Sequence, residues 1–210
     1  MQIRQFLLVF SIFLCSFFYT GLACAQNAPE NVPTLLQNAI DSMQGEEAVK
    51  YFDMEQVIND IINTQLPVIN QKAVNGEIKL NQQLFVALAS LNSGNAATRR
   101  TTVLFLSSEL NKFILYGVNS GNFAGKPLSE NVQMTMDKGI FGQLGTISLE
   151  RKEFTGTKLV AASNNKATVA TSLYDHGAKR AYPLVLKMQK YDTMWKITAI
   201  ENISELVAGM

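Results

Sequence analysis

Three segments in the last quarter of the chain alternate apolar and polar residues with a period of two. They are residues 166–174, 181–190 and 194–200. In the first segment Ala167 and Val169 fall on one side and Thr168 on the other. That period is typical of half-buried β-strands. Three such segments in succession predict an antiparallel meander, which constrains the fold more than any other feature of the sequence.

Residues that favour turns bound these segments. Asp and Gly in 175–177 tolerate the backbone angles of a tight reversal, and Asn164-Asn165 predicts an earlier hairpin turn. Pro183 has no N–H group. We therefore expect it at a position where its nitrogen is not needed for a hydrogen bond between strands. With a further strand within 147–162, the prediction is an antiparallel sheet of about four strands over 147–201.

The residues before the sheet carry helical periodicity. Apolar side chains recur every three or four positions in 34–43, after Asp53 and in 98–118. Asp53 with Gln56 matches a capping box, and Pro67 is expected to kink or end the helix that they begin. Further predictions are a break at Gly45, a short helix over 46–52, an apolar helix over 80–91, and an irregular or helical segment over 123–144.

The predicted architecture is a single α+β domain over 34–210. Residues 34–118 are mainly helical, and the helices around 80–91 and 98–118 are expected to form the inner layer on which the sheet packs. A short helix over 202–208 closes the chain, with Asn202 as its N-cap. Residues 26–33 are polar, contain two prolines and predict a flexible lead-in.

The strands carry a resemblance to a known superfamily. Ala-Thr-Val at 167–169, Pro-Leu-Val-Leu-Lys-Met at 183–188 and Met-Trp-Lys-Ile at 194–197 resemble the C-terminal sheet of exported bacterial domains of the nuclear transport factor 2-like, or cystatin-like, α+β superfamily. The resemblance implies a curved antiparallel sheet wrapped around helices, often with a cone-shaped cavity. Because that superfamily includes enzymes, ligand binders and assembly modules, it selects no function.

Residues 1–25 have the pattern of a secretory signal peptide. One charge, Arg4, precedes an apolar run over 6–18, and Ala23-Cys24-Ala25 fits the small residues required for cleavage before Gln26. Two alternatives stay open. Cys24 can serve as a lipidated first residue, although Gly21 departs from the usual lipobox, or the segment can remain as an uncleaved anchor. We therefore expect an exported protein, periplasmic or extracellular, that is attached to a membrane only under one of those alternatives.

Cysteine and charge narrow the function classes. Both cysteines, Cys15 and Cys24, lie within the predicted signal, so residues 26–210 contain no disulfide or thiol site. Those residues carry 17 basic and 17 acidic side chains, without a long basic run. Nucleic acid is therefore not an expected partner.

His176 is the only histidine, and Asp175 precedes it. A histidine with an orienting carboxylate is one arrangement for proton transfer, yet neighbours in a tight turn point apart and such turns are usually solvated. No further His or mature Cys is present to complete a zinc or iron site. No cofactor or metal is therefore expected. The pair Asp175/His176 supports only an alternative function, a small cavity enzyme of the isomerase or hydrolase type.

Aromatic and methionine side chains in the strands and the last long helix are the candidates for a ligand cavity. The candidate lining residues are Phe113, Tyr116, Phe154, Tyr182, Met188 and Trp195. Broad and adaptable side chains of this kind line apolar pockets, but they also fill closed cores. The function hypothesis is an exported, non-enzymatic binding or interaction module of the bacterial envelope. Its partner is an apolar or amphipathic molecule such as a lipid, or an envelope protein; a purely structural partner domain is another alternative.

Overall fold

The computed structural model of the chain describes residues 28–75, 86, 90, 91, 95–130 and 150–202. A 3-10 helix, Pro29–Asn31, leads directly into helix α1, Val32–Asp41. Three further helices follow: α2 (Gly45–Val49), α3 (Met54–Val74) and α4 (Ala96–Asn119). A 3-10 turn, Asn122–Ala124, comes after α4. The strands are β1, Lys152–Ala162, β2, Lys166–Asp175, β3, Arg180–Tyr191, and β4, Met194–Ile200. The predicted signal, most of 80–91, residues 131–149 and the predicted helix over 203–208 lie outside the described residues.

The four strands form one antiparallel sheet in the order β1-β2-β3-β4, which confirms the predicted meander and the α+β class. The side chain of Asp175 accepts hydrogen bonds from the N–H groups of Gly177 and Ala178, at 2.9 and 3.2 Å, and closes the turn before β3. Strand β1 lies at one edge of the sheet that the described residues form. Its pairing with β2 shifts register between Thr155 and Lys158, where Gly156 has a φ of 64°, and again between Leu159 and Ala161. The second half of β1 is exposed.

Pro183 lies where β3 extends beyond β4, as the sequence predicts. In a strand the N and O atoms of one residue point to the same side. The Pro183 carbonyl accepts from the Asn202 amide at 2.7 Å. The Pro183 nitrogen therefore faces the same side of β3, at a position beyond the last residue of β3 that pairs with β4. The Asn202 Oδ1 accepts from the Val185 N–H at 2.9 Å. The Asn202 side chain therefore continues the ladder on β3, a role that its predicted capping function did not suggest.

The helices meet the sheet along α1 and α3. In α1 the Gln37 side chain donates to the Lys152 carbonyl and accepts from the Phe154 N–H, at 3.3 and 2.9 Å. Beside β4, the Asp53 N–H donates to the Ile197 carbonyl, and the Ile197 N–H donates to the Tyr51 carbonyl. The core lies between these helices and the sheet. Its best-buried side chains are Leu36, Ile58, Val118, Val169, Leu186, Met188 and Ile197.

The inner layer differs from the prediction. Helix α4 packs mainly against α2 and α3, whereas α1 and α3 contact the sheet. Because α4 is apolar on most of its circumference, its sequence does not indicate which face is buried, and Leu104 and Phe105 remain exposed.

The N-terminal helical boundaries also differ. Val32 and Pro33, assigned to a flexible lead-in, are buried within α1. Gly45 begins α2 instead of ending α1, because its N–H donates to the Asn119 Oδ1 at 2.7 Å, where a larger residue would collide with that side chain. Met43, with a φ of 56°, makes the turn after α1. Helix α3 continues through Pro67 to Val74.

Candidate functional site

The six predicted cavity residues do not converge on one site. Met188 and Trp195 are buried in the sheet, while Tyr116 on α4 is 46% exposed. The Phe113 ring packs against the Phe123 ring at 5.8 Å between centroids, and Phe154 flanks the core. The Arg180 guanidinium lies over the half-exposed Tyr182 ring, 5.3 Å from its centroid. Two separate cavities each contain one of the six residues.

The larger cavity is an open groove of about 530 Å³ that is lined by α3 and by residues of all four strands. It lies at the end of the sheet marked by the β1–β2 turn. The lining residues are Gln56 and Asp60 of α3, Ala161, Ala162 and Ser163, Lys166, Ala167 and Thr168, Lys187, Met188 and Gln189, and Thr198 and Ala199. We refer to this set as the groove. Its volume falls within the range of small-molecule sites.

The chemistry of the groove is amphipathic. Ala167 and Met188 are buried in the core, whereas Thr168 and Lys187 next to them lie on the opposite face of the sheet. The apolar side chains on that polar face are Ala161, opposite Thr168, and Ala199, opposite Lys187. The rim carries Lys166, the Asp60 carboxylate and the side-chain amides of Gln56 and Gln189. Burial raises the pKa of Asp60 above its usual value, because a partly desolvated carboxylate favours its neutral form. This lining is far more polar than the apolar cavity that the sequence predicts.

The smaller cavity, of about 240 Å³, lies beside the start of β4, at the same end of the sheet as the β1–β2 turn. Its lining residues are Ala28, Val32, Leu35, Tyr51, Thr193, Met194 and Trp195. The Lys190 ammonium lies 5.9 Å from the centroid of the Trp195 ring, within the range of a cation–π contact. Trp195 is thus a cavity residue, in a space smaller than most ligand sites.

The candidate acid–base pair is not assembled as a pair. One Asp175 oxygen accepts the turn N–H groups, and the other lies 3.1 Å from the Lys152 ammonium. The His176 Nε2 lies 3.1 Å from the Glu153 carboxylate, and its ring meets the Tyr174 ring edge to face. Because the Asp175 carboxylate is occupied by Lys152 and the turn, it does not orient His176.

The Lys152–Asp175 contact is a buried ion pair that the sequence analysis missed. Both side chains are less than a tenth exposed. Burial lowers the pKa of Lys152, while the hydrogen bond and charge of Asp175 oppose that shift. The Lys152 Nζ also donates to the Glu150 carbonyl at 3.0 Å. The register next to the Asn164-Asn165 turn would place Phe154 opposite Asp175. Two register shifts in β1 bring Lys152 to that position instead, so the hairpin pattern alone did not indicate the pair.

Further charges surround this pair. Arg151 lies 3.2 Å from Asp41 of α1 and 3.9 Å from Glu153. The Arg151 guanidinium also donates to the Ala124 carbonyl at 3.3 Å. These bonds join α1, the turn after α4 and the sheet. We call Asp41, Arg151, Lys152, Glu153, Asp175 and His176 the charged corner, and every one of its ionised side chains has a partner.

Comparison of the chain with protein-family models, with curated proteins and with solved structures finds no match in any of the three.

The resemblance of the strands to the nuclear transport factor 2-like superfamily therefore stays a prediction. Within the described residues, no helix is both long and apolar enough to cross a membrane. In the same part of the chain, no cluster of three or more His, Cys, Asp and Glu side chains has the arrangement of a metal site. The groove is the feature of the described fold with the volume and the free polar groups of a binding site.

Sequence reasoning did not find the groove residues other than Met188. A signal was present, because Lys166 and Thr168 alternate with apolar residues of β2, and Lys187 and Gln189 do so on β3. The register of the hairpin pairs Lys166 with Gln189 and Thr168 with Lys187. The contribution of Gln56 and Asp60 required the packing of α3, which periodicity alone does not specify.

Proposed function

We propose that this protein is an exported, non-enzymatic binding module of the bacterial envelope that holds an amphipathic ligand in the groove. The observation that carries the proposal is a space of about 530 Å³ in which the small apolar side chains of Ala161 and Ala199 lie among charged and amide side chains. Pockets that combine apolar area with a few polar groups are the usual form of ligand sites. The pattern of residues 1–25 supports export.

The enzymatic alternative has less support. It needs Asp175 and His176 to act together, but their side chains have different partners. The same contacts give both residues a role in joining β1 to β2. Replacing Asp175 and His176 by Ala in the native host would test the alternative, because a loss of function without a loss of folded protein is the result that a catalytic pair requires.

Binding of a partner protein is a second candidate function, and one observation supports it. Leu159 and Val160 on the β1 edge, and Leu104, Phe105 and Tyr116 on α4, are large apolar side chains with 37 to 58% of their surface exposed. Exposed apolar area of this kind is found at protein interfaces. A stable complex that is isolated from the envelope with a second protein, and lost on replacement of Val160 by Thr, would favour this function.

Titration of the protein with dodecanoate and with dodecylphosphocholine, followed by amide chemical shifts, tests the groove. We expect shifts concentrated at Lys166, Thr168 and Gln189. Ala161→Trp should abolish them, because this exposed residue lines the groove and tryptophan would fill it. The matched control is Ala181→Trp, an exposed alanine of β3 outside the groove, which should bind as the natural chain does. Shifts confined to Trp195 and its neighbours, or unaffected by Ala161→Trp, would contradict the proposal.

A further inference from the structure

Two opposite charges in the groove lack a partner in the described part of the chain. No hydrogen bond or ion pair of the described residues engages the Asp60 carboxylate or the Lys166 ammonium. Lys187, which also lines the groove, lies 2.9 Å from Glu201 and donates to the Thr168 hydroxyl at 3.3 Å. The groove therefore offers one free anion on the helix side and one free cation on the sheet side.

The two free charges favour a ligand that carries both signs. Burial raises the pKa of Asp60, so the folded protein disfavours the bare carboxylate. A cationic group placed beside it would replace the lost hydration. Lys166 begins β2 next to the β1–β2 turn and is exposed, so it is free to swing toward an anionic group. A charge-assisted hydrogen bond at each end would fix the direction of the ligand.

The groups between these charges match a peptide backbone. Gln56 and Gln189 each present an amide that donates and accepts. The hydroxyls of Ser163 and Thr198 donate to the carbonyls of Lys166 and Lys187, and their lone pairs can accept from a ligand. Four strands spaced about 4.8 Å apart span about 14 Å, which is the length of roughly four extended residues. No aromatic side chain of the described residues lines the groove. It therefore lacks the stacking platform that nucleobases use.

We propose that the groove binds a short extended peptide with charged termini, its ammonium group beside Asp60 and its carboxylate beside Lys166. The small side chains of Ala161 and Ala199 leave room for small side chains of the peptide. This inference rests on the proposed function and names the chemical class of its ligand.

Four peptides measure the contribution of each charged terminus to binding separately. They are tetra-alanine with free termini, its N-acetylated form, its C-terminal amide, and the peptide blocked at both ends. Isothermal titration of the mature protein should rank the free peptide first and the doubly blocked peptide last. Each blocked terminus should weaken binding by about tenfold, the effect of losing one charge-assisted hydrogen bond.

Two variants assign each terminus to its partner. Asp60→Asn should remove the advantage of a free ammonium group while preserving that of the carboxylate, and Lys166→Gln should do the reverse. Matched controls are Asp192→Asn and Lys158→Gln, which alter exposed charges outside the groove and should keep the full ranking.

Equal affinities for the four peptides, or a ranking that both groove variants preserve, would overturn the inference. So would the absence of peptide binding. The dodecyl probes keep this result distinct from failure of the proposed function. Groove shifts with dodecanoate and no peptide binding would refute the peptide class alone, whereas no groove shift with any probe would refute both.

Discussion

The two ends of the sheet contain the same types of charged residue in opposite conditions. At the charged corner, Lys152 and Asp175 are buried together, Arg151 pairs with Asp41 and Glu153, and the Glu153 carboxylate also lies beside the His176 ring. At the groove, Lys166 and Asp60 are turned toward open space and have no partner in the described chain. Charges that satisfy each other hold elements together, whereas charges without a partner are available to a ligand.

This contrast changes the meaning of the most conspicuous residues in the sequence. The sequence suggests His176 and the neighbouring Asp175 as a possible acid–base pair, yet both residues belong to the charged corner. Inconspicuous residues such as Gln56 and Lys166 line the groove. Whether a polar side chain is satisfied inside the fold, which the sequence does not state directly, decides between the two roles.

The largest effect is expected from breaking the buried pair. Asp175→Asn keeps an oxygen for the turn N–H groups but leaves the buried Lys152 ammonium without its counter-charge. We expect unfolding free energy to fall by about 3 kcal/mol, the usual cost of an uncompensated buried charge. Urea denaturation followed by circular dichroism measures it.

The control for that prediction removes both charges. Lys152→Met combined with Asp175→Asn should recover at least half of the lost stability, because no buried ammonium remains. A double variant as unstable as the single one would show that the turn, and not the ion pair, holds this end.

The next largest effect is expected at Asn202. Replacement by Ala removes the side chain that donates to the Pro183 carbonyl and accepts from the Val185 N–H. Two backbone groups would lose their protein partners, at a cost of about 2 kcal/mol. Asn202→Asp distinguishes the bonds, since it keeps the acceptor for Val185 and loses only the donor. If Asn202→Ala unfolds at the same urea concentration as the natural chain, the ladder role is wrong.

A smaller, pH-dependent effect is expected at Tyr191. Its hydroxyl donates to the Asp53 carboxylate at 2.7 Å, and this bond is the main cause that raises the Tyr191 pKa from 10.0 to about 12. Because the folded pKa lies above the unfolded one, the contribution to stability is complete below pH 10 and is lost as the pH rises toward 12. Tyr191→Phe should remove this part of the alkaline loss in urea melts recorded across that range. An identical pH profile for the two chains would contradict the assignment.

The smallest effect on stability is expected at the groove, and it compares the groove directly with the charged corner. Asp60→Asn removes a groove carboxylate whose raised pKa marks it as unfavourable when ionised. We expect stability at neutral pH to stay within about 0.5 kcal/mol of the natural chain, or to rise. Urea melts of Asp60→Asn beside Asp175→Asn make the test. Comparable destabilisation by both would mean that the two ends do not differ as described.

Local patterns predicted the sheet well, because each strand has one buried face and turn residues at its ends. The alternation around Val169, the position of Pro183 and the Asp53 cap, which accepts from the Gln56 N–H at 3.1 Å, all follow from near neighbours. The inner layer was not predictable in this way, because α4 has no single apolar stripe. The start of α2 at Gly45 depends on Asn119, a residue that is distant in the chain.

The site was harder to predict for the same reason. Trp195 lines the smaller cavity, whereas Phe113 and Tyr116 of α4 line neither space. Large apolar side chains occur both in closed cores and around cavities, so the residue type alone does not distinguish the two. The groove brings Gln56 and Asp60 of α3 together with residues of all four strands, and this arrangement depends on tertiary packing and not on a local pattern.

Native mass spectrometry of the protein from its own envelope fraction tests the central claim most directly. The natural chain and Ala181→Trp should each carry a bound molecule in one-to-one ratio, and Ala161→Trp should have the mass of the chain alone. Extraction of the bound molecule would then identify it. A bare mass for the natural chain, or an adduct that survives in Ala161→Trp, would contradict the assignment of the groove as the binding site.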